Sequence, residues 1–368
     1  MLDNAREING NTDKKRMPGG GYLIYSYFYK AIIFINHQLN LSTITTLLLL
    51  PALFSCEHLQ NGYNEIQEAE TETKITVSYD CGINCLDIFA FDNDDLMRLD
   101  SYQHWSWTSY DGIGLRSQNG EKAVFVCANG QRTKDEWTGI NSWASLEDCH
   151  VELTKENRNS PCMTGKALIT AGNNKPYSIL LTRIVSEVRL RSLKCDFTDT
   201  SLRDKPLTDV KVYLTNVNAR CSIAAEGEVM PMEIINSGGL DDGDMEEFSD
   251  TGFIFHEIDG NIGGVERQLN LSMLCYPNSC QKEGPGAPFT RLVVEGRLDG
   301  DIYWWPVNIY RDEGIDQPGI HRNHQYVYDI ELRRKGSSSP DEVIEIEDAI
   351  IKMNITPWEE KEEYEVAF

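Results

Sequence analysis

Short apolar runs recur from residue 74 to residue 356. Most alternate with polar positions, and almost none keeps a helical period. Lys74 to Tyr79 puts Ile75, Val77 and Tyr79 on one side. Leu86 to Phe91 is a compact apolar run closed by Asp92-Asn93-Asp94-Asp95, and Ala123 to Ala128 is another, stopped by Asn129-Gly130. Ala167 to Thr170 and Ser178 to Leu181 follow, the second after a break at Lys175-Pro176. Further on, Ile184 to Leu193 sets Val188 and Leu190 against Arg189 and Arg191. Asp209 to Thr215 aligns Val210, Val212 and Leu214; Leu269 to Tyr276 aligns Leu269, Leu271, Met273 and Cys275. Thr290 to Leu298 and Ile302 to Ile309 flank Asp299-Gly300, a two-residue hairpin signal. Tyr326 to Arg333 and Ala349 to Thr356 alternate again, Lys335 to Asp341 reads as a Gly/Ser/Pro linker, and Tyr364 to Phe368 as a last strand. Strand-length runs punctuated by Gly, Asn, Asp and Pro predict an all-β sandwich or barrel. Helix is expected only at Leu146 to Glu156 and as a turn at Asp244 to Phe248.

Upstream the pattern changes. The run from Ile44 to Ser55 is apolar, ends at Cys56, and is too short to span a bilayer, which takes about 20 apolar residues. Polar Glu57, Gln60, Asn61 and Asn64 follow at once. An h-region closed by a small residue and a cysteine resembles a bacterial lipobox, in which the cysteine takes the lipid and becomes the first residue of the mature chain. Residues 1–55 are then a signal-peptide region, with Lys14, Lys15 and Arg16 far upstream and a start at Met17 or later as one explanation. Residues 56–73, carrying Glu65, Glu68, Glu70 and Glu72, are then a flexible lipidated spacer. The alternative is an uncleaved anchor with Cys56 an ordinary cysteine. Two or three acyl chains, each buried methylene contributing about 0.8 kcal/mol, would make attachment permanent.

Composition narrows the function. A net charge of -24 over 368 residues repels phosphate and argues against nucleic-acid binding. Ten cysteines, nine after Cys56, leave an odd number for any pairing in an exported protein. The spacings Cys81-x-x-x-Cys85 and Cys275-x-x-x-x-Cys280 do not suit zinc, and no metal is expected. Asp92 to Asp95 and Asp241 to Asp244 supply oxygen ligands but lack a calcium-loop spacing, so they read as turns. No nucleophile elbow, zinc helix or phosphate loop is present, His321 and His324 read as loop histidines, and the chain is expected not to be an enzyme. Trp105, Trp107, Trp137 and Trp143 stand in polar, Gly- and Ser-containing surroundings. Exposed, they would stack on sugars or fill a partner's pocket; otherwise they plug the ends of a sandwich core. Of Trp304 and Trp305, neighbours in one strand, one ring is expected inward and one outward.

Several segments in order resemble the fimbrillins of Bacteroides-type bacteria. They are the lipobox, Ile88 to Asp92, Thr182 to Val188, Tyr213 to Val217, Cys275 to Asn278, Asn323 to Ile330, and the ending Ile355 to Trp358 with Tyr364 to Phe368. The resemblance covers most of residues 56–368. It implies two transthyretin-like β-sandwich domains in tandem, residues 74–185 and 186–368. It also implies export as a lipoprotein, with diacylglycerol and fatty acyl (palmitate) on Cys56 and no other cofactor. The location is then the outer membrane and fimbrium, and the partners are other fimbrial subunits joined by strand addition, in support of adhesion. Shaft subunits of the family lose an N-terminal segment at an arginine. Here no arginine lies between Cys56 and Arg98, and Lys74 is the one Lys or Arg in that interval, so an anchor or basal subunit is expected. The alternative is a lipoprotein adhesin that binds glycan or host protein through the tryptophans.

Strand addition draws affinity from backbone bonds and specificity from alternate side chains. Ile351, Met353 and Ile355 form one apolar row and Trp358 follows, so these are the strand-exchange candidates; the competing expectation is that they pair within their own sheet.

Overall fold

The computed structural model describes residues 70–79, 81–106, 113–311, 315–342 and 349–358. Cys56, Trp107 and the strand expected at Tyr364 to Phe368 lie outside the described residues. Residues before 184 supply β1 (Glu70–Ser78), β2 (Leu86–Asp92), β3 (Leu99–Trp105), β4 (Ile113–Gln118), β5 (Gly120–Ala128), helix α1 (Trp143–Glu147), β6 (His150–Glu152), β7 (Met163–Ala171), β8 (Tyr177–Leu180) and β9 (Thr182–Arg183). The remainder supplies β10 (Ser186–Cys195), β11 (Thr208–Thr215), β12 (Val217–Asn218), β13 (Arg220–Ser222), β14 (Ile234–Ile235), helix α2 (Asp242–Glu247), β15 (Phe255–Ile258), β16 (Arg267–Cys275), β17 (Arg291–Leu298), β18 (Asp301–Asn308), β19 (His324–Leu332) and β20 (Ala349–Pro357).

Four principal sheets result. In the first half a three-stranded sheet, β4-β1-β8, faces a five-stranded one, β3-β2-β5-β7-β9; in the second, β16-β10-β19-β20 faces β15-β11-β17-β18. Strands β2 and β5 show why their sequences run apolar without alternating: both faces are covered. Leu86, Ile88, Ala90, Val124 and Val126 meet Ile75, Val77, Ile113 and Leu115 of the smaller sheet. Phe89, Phe91, Phe125 and Cys127 point the other way, onto Trp137 and Leu146, into a core continuous with Val188, Leu190, Val212, Leu292, Trp305 and Tyr326 of the second half. The halves therefore share one apolar interior rather than meeting at a wet interface.

Local rules explain the rest. The turn between β17 and β18 has Asp299 at φ 52° and Gly300 at φ 101°, the doubly left-handed pair that a twisted hairpin favours. A bulge between Leu190 and Ser192 shifts the phase of β10, so Val188 and Leu190 are followed inward by Leu193 and Cys195. Tyr326, Tyr328, Ile330 and Leu332 are buried at every second position of β19.

Three expectations need correction. Glu70 to Thr73, placed in the flexible spacer, belong to β1, because Thr73 is buried and the ladder with β4 already begins at Glu70. The expected helix at Leu146 to Glu156 ends at Glu147; it begins earlier, capped by Ser142, and the chain then extends into β6 to pair with β13. The stretch Lys335 to Asp341 is docked rather than free. Ser337 exchanges backbone bonds with Trp304 (2.7 and 3.2 Å), and Asp341 accepts from buried Arg291 at 2.7 Å. Gly336 is required there, since a Cβ would lie 2.2 Å from the Trp304 carbonyl oxygen.

Candidate assembly site

Strand β1 occupies the middle of its sheet. It pairs antiparallel with β4 from Glu70 to Ile75 and parallel with β8 from Ile75 to Ser78. Its alternate residues Thr73, Ile75 and Val77 are buried, while Glu70, Glu72 and Lys74 face solvent. The strand thus fills a slot whose walls are the inner edges of β4 and β8 and whose floor is the apolar face of the five-stranded sheet.

Strand β20 sits at the edge of the second half. It pairs antiparallel with β19 across nine positions, from Ala349 opposite Leu332 to Pro357 opposite His324. Ile351, Met353 and Ile355 are half-buried against the main core, and Ile350 on the other face is exposed. Trp358 is half-buried: its N–H donates to the Asn323 carbonyl oxygen at 2.8 Å, and the Arg183 guanidinium lies 4.7 Å from its ring centroid and donates to its carbonyl oxygen. Ile351, Met353 and Ile355 are therefore held by this chain's own β19, and Trp358 by Asn323 just before β19 and by Arg183 of β9.

The tryptophans separate. Trp137 is buried edge-on to Phe89 at 5.3 Å, so it is a core residue. Trp143 is half-buried over Phe91 and Phe125, donates to Glu147 at 2.8 Å, and borders a cleft of about 230 Å³. Trp105, in β3, packs on the first sandwich core and lines a cleft of about 380 Å³ with Glu72, Gln103, His104, Arg116 and Lys134. Trp305 points inward and Trp304 outward, donating to Glu295 at 2.9 Å. A larger cleft of about 550 Å³ brings Ile355 together with Tyr310, His321, His324 and Glu226. His321 and His324 are accordingly half-buried cleft residues, each with a ring nitrogen on a backbone carbonyl oxygen at 2.8 and 2.7 Å.

Among the described residues no three His, Cys, Asp or Glu side chains converge as a metal would need. The two acidic clusters serve turns and caps: Asp94 accepts from the Leu96 and Met97 N–H groups, and Asp241 caps α2.

Polar groups missed in the sequence hold the seam between the halves. Arg322 donates to the Thr182 carbonyl oxygen and the Thr164 hydroxyl, both at 2.8 Å, and to the Arg183 carbonyl oxygen at 3.3 Å. Burial of its head lowers its pKa from the usual arginine value. On the other side Tyr276 donates to Glu156 at 2.8 Å, and the same carboxylate accepts from the Cys162 N–H at 2.9 Å. Burial raises the Glu156 pKa above the ordinary carboxylate range, because its remaining hydrogen bonds do not replace the lost water. A raised folded-state pKa contributes stability that is complete below the unfolded value of about 4.3 and is lost as pH rises through the folded one. Glu156→Gln should therefore gain on the wild type as pH goes from 4.5 to 8. Thermal midpoints of both proteins across that range check this; a gap that stays constant or moves the other way refutes it.

No known protein-family model matches the chain, and no curated protein does. Solved structures do match, throughout most of its length. A protein from Bacteroides eggerthii assigned to cell adhesion has a TM-score of 0.62 at 12% identity, covering 80% of this chain and 98% of that one. A Parabacteroides distasonis protein with the same assignment has 0.59 at 15%, covering 79% and 98%. The fimbrilin FimA of Porphyromonas gingivalis has 0.57 at 13%, covering 78% and 98%. The chain is an all-β protein, and its fold is the one shared by these fimbrial and cell-adhesion proteins.

Proposed function

We propose that this chain is a subunit of a surface fimbria, held to the outer membrane by lipid on Cys56 and joined to neighbouring subunits by strand pairing. The observation that carries this is β1: a strand walled on both sides, in a fold shared with a fimbrilin, is the kind of element one subunit can exchange with another. The two halves are then transthyretin-like sandwiches, residues 70–185, with β1 included from its first residue, and 186–368, with the join where β9 runs into β10. An anchor role is supported by the lack of arginine between Cys56 and Arg98 and by Lys74 being locked within the β1 ladder, where a protease cannot seat an extended chain. Such a subunit keeps both its lipid and its own β1.

Mass analysis of the mature N-terminus, with and without globomycin, tests the anchor. The expected product starts at Cys56 and carries acyl chains; with globomycin or in Cys56→Ala the precursor accumulates and fimbriae are shed from the envelope. An unlipidated chain starting elsewhere would defeat the reading. The adhesin alternative keeps Trp105 and Trp143, each of which lines a cleft with several polar side chains; Trp105 is the one outside the core shared by the two halves. Glycan-array binding abolished by Trp105→Ala would favour it.

A further inference from the structure

Three cysteines meet at one end of the five-stranded sheet. Cys85 stands just before β2, Cys127 lies in β5, and Cys162 stands just before β7. The register sets Cys127 opposite Asp87 and Thr164, so Cys162, one residue before β7, lies diagonally across from Cys127, two positions along the ladder and on the same face. Cys127 and Cys162 are both buried, and their sulfurs are 3.8 Å apart. No disulfide joins any two of the described cysteines. A disulfide needs an S–S length of about 2.05 Å, a closing movement of about 1.8 Å between these sulfurs; for a diagonal pair on adjacent strands this takes a small shift of the strands together with side-chain rotation, which a chain still folding can make.

We propose that Cys127 and Cys162 form a disulfide as the chain folds, with a disulfide of the glutathione or thiol-oxidoreductase class as the oxidant. One thiolate attacks the donor's S–S bond and releases one donor thiol. The second cysteine then attacks the mixed disulfide and releases the other. One S–S bond forms in the protein and one breaks in the donor; the two electrons and the two thiol protons leave with the donor's sulfurs.

Timing follows from burial. In the folded protein the neighbouring Cys127 thiol and burial hold the Cys162 pKa well above the usual thiol range, so the attacking thiolate is scarce. Oxidation therefore belongs to folding, before the pair is covered.

The position gives the bond a purpose. It closes a loop between residues 127 and 162 that contains Trp137, α1 and β6, and it fixes Cys162, whose N–H donates to Glu156 at the seam. The export proposed above matters here only for the source of oxidant in the cell, so the test supplies oxidant directly.

The full chain is unfolded and reduced, refolded in mixed reduced and oxidised glutathione, blocked with N-ethylmaleimide and cut with trypsin. Peptides 123–132 and 159–166 should appear as one linked species that separates on reduction. Cys127→Ser and Cys162→Ser should each abolish it, and Cys85→Ser should leave it. Reductant should lower the wild-type thermal midpoint by roughly 5–10 °C and leave that of the Cys162→Ser protein unmoved. Recovery of both peptides as separate blocked thiols, or linkage of either to Cys85, would overturn the proposal whether or not the protein is exported.

Discussion

A chain that begins at residue 80 will lose the packed state of its first sandwich and regain it when a synthetic peptide of residues 70–79 is added. Strand β1 contributes two nearly fully buried aliphatic side chains, Ile75 and Val77, each stabilising by about 1.5–3 kcal/mol. Its ladders with β4 and β8 add backbone bonds of about 1 kcal/mol net apiece. Removing it also leaves two unpaired strand edges beside an apolar floor, a surface that recruits other strands. Ordering the peptide costs about 1–2 kcal/mol per residue, so only part of the gross gain survives. We expect a net loss of about 5 kcal/mol, a fall in thermal midpoint of roughly 10–20 °C, and association of the truncated chain. A chain beginning at residue 68 keeps β1 and serves as the control. An Ile75→Asp, Val77→Asp peptide should not rescue, since its charges would be buried without partners. An unchanged midpoint after truncation, or equal rescue by both peptides, would remove strand exchange at this slot from consideration.

What could be read from sequence followed burial on one or both faces of a strand. Alternation at Tyr326 to Leu332 and continuous apolar runs at Leu86 to Phe91 and Ala123 to Ala128 each report a simple environment, and each became a strand. The Asp299-Gly300 hairpin was legible because a doubly left-handed turn narrows the choice of residues. Strands β3 and β4 were not foreseen. Every residue of β3 is half-buried, so no contrast between inner and outer positions marks its sequence. Strand β4 carries Gly114, Arg116 and Ser117 among its few residues, and Gln118 donates its N–H to Asp100. The slot around β1 was equally invisible, because a parallel partner such as β8 is about a hundred residues away in the chain and leaves no local trace.

Polar residues at the seam were hidden for a different reason. A buried arginine that bonds to carbonyl oxygens looks, in one dimension, like any loop arginine, and Arg322 lies between His321 and Asn323 with no acidic neighbour to suggest a partner. Its partners are carbonyl and hydroxyl oxygens of residues 164, 182 and 183, which carry no sequence signature at all. The same holds for Glu156, whose partner Tyr276 is on the other half. The fold of each half is thus written in apolar periodicity, while the polar contacts that join the halves depend on partners brought together from distant parts of the chain.

Replacing Arg322 should accordingly weaken the joint more than any change to an exposed charge. Hydrogen bonds from a charged donor contribute about 1.5–3 kcal/mol each, and carbonyl oxygens left dry after its removal cost about 1–3 kcal/mol. Arg322→Ala strips the Thr182 and Arg183 carbonyl oxygens and the Thr164 hydroxyl of a shared donor, and we expect a loss of about 3–4 kcal/mol. Arg322→Lys keeps the charge but lacks the planar fork that reaches several oxygens at once, so it should recover less than half of that loss. Calorimetry distinguishes loosening of the seam from general damage. With the seam weakened, the single transition expected of a shared interior should broaden or divide in two, one part following the residues before 184 and the other those after. Lys166, an exposed residue paired with Glu226 on the cleft of about 230 Å³ that Arg322 also lines, supplies the comparison, and its alanine variant should cost no more than about 1 kcal/mol. Equal, small losses for both alanine variants would mean that the continuous apolar core alone joins the halves and that Arg322 merely fills space.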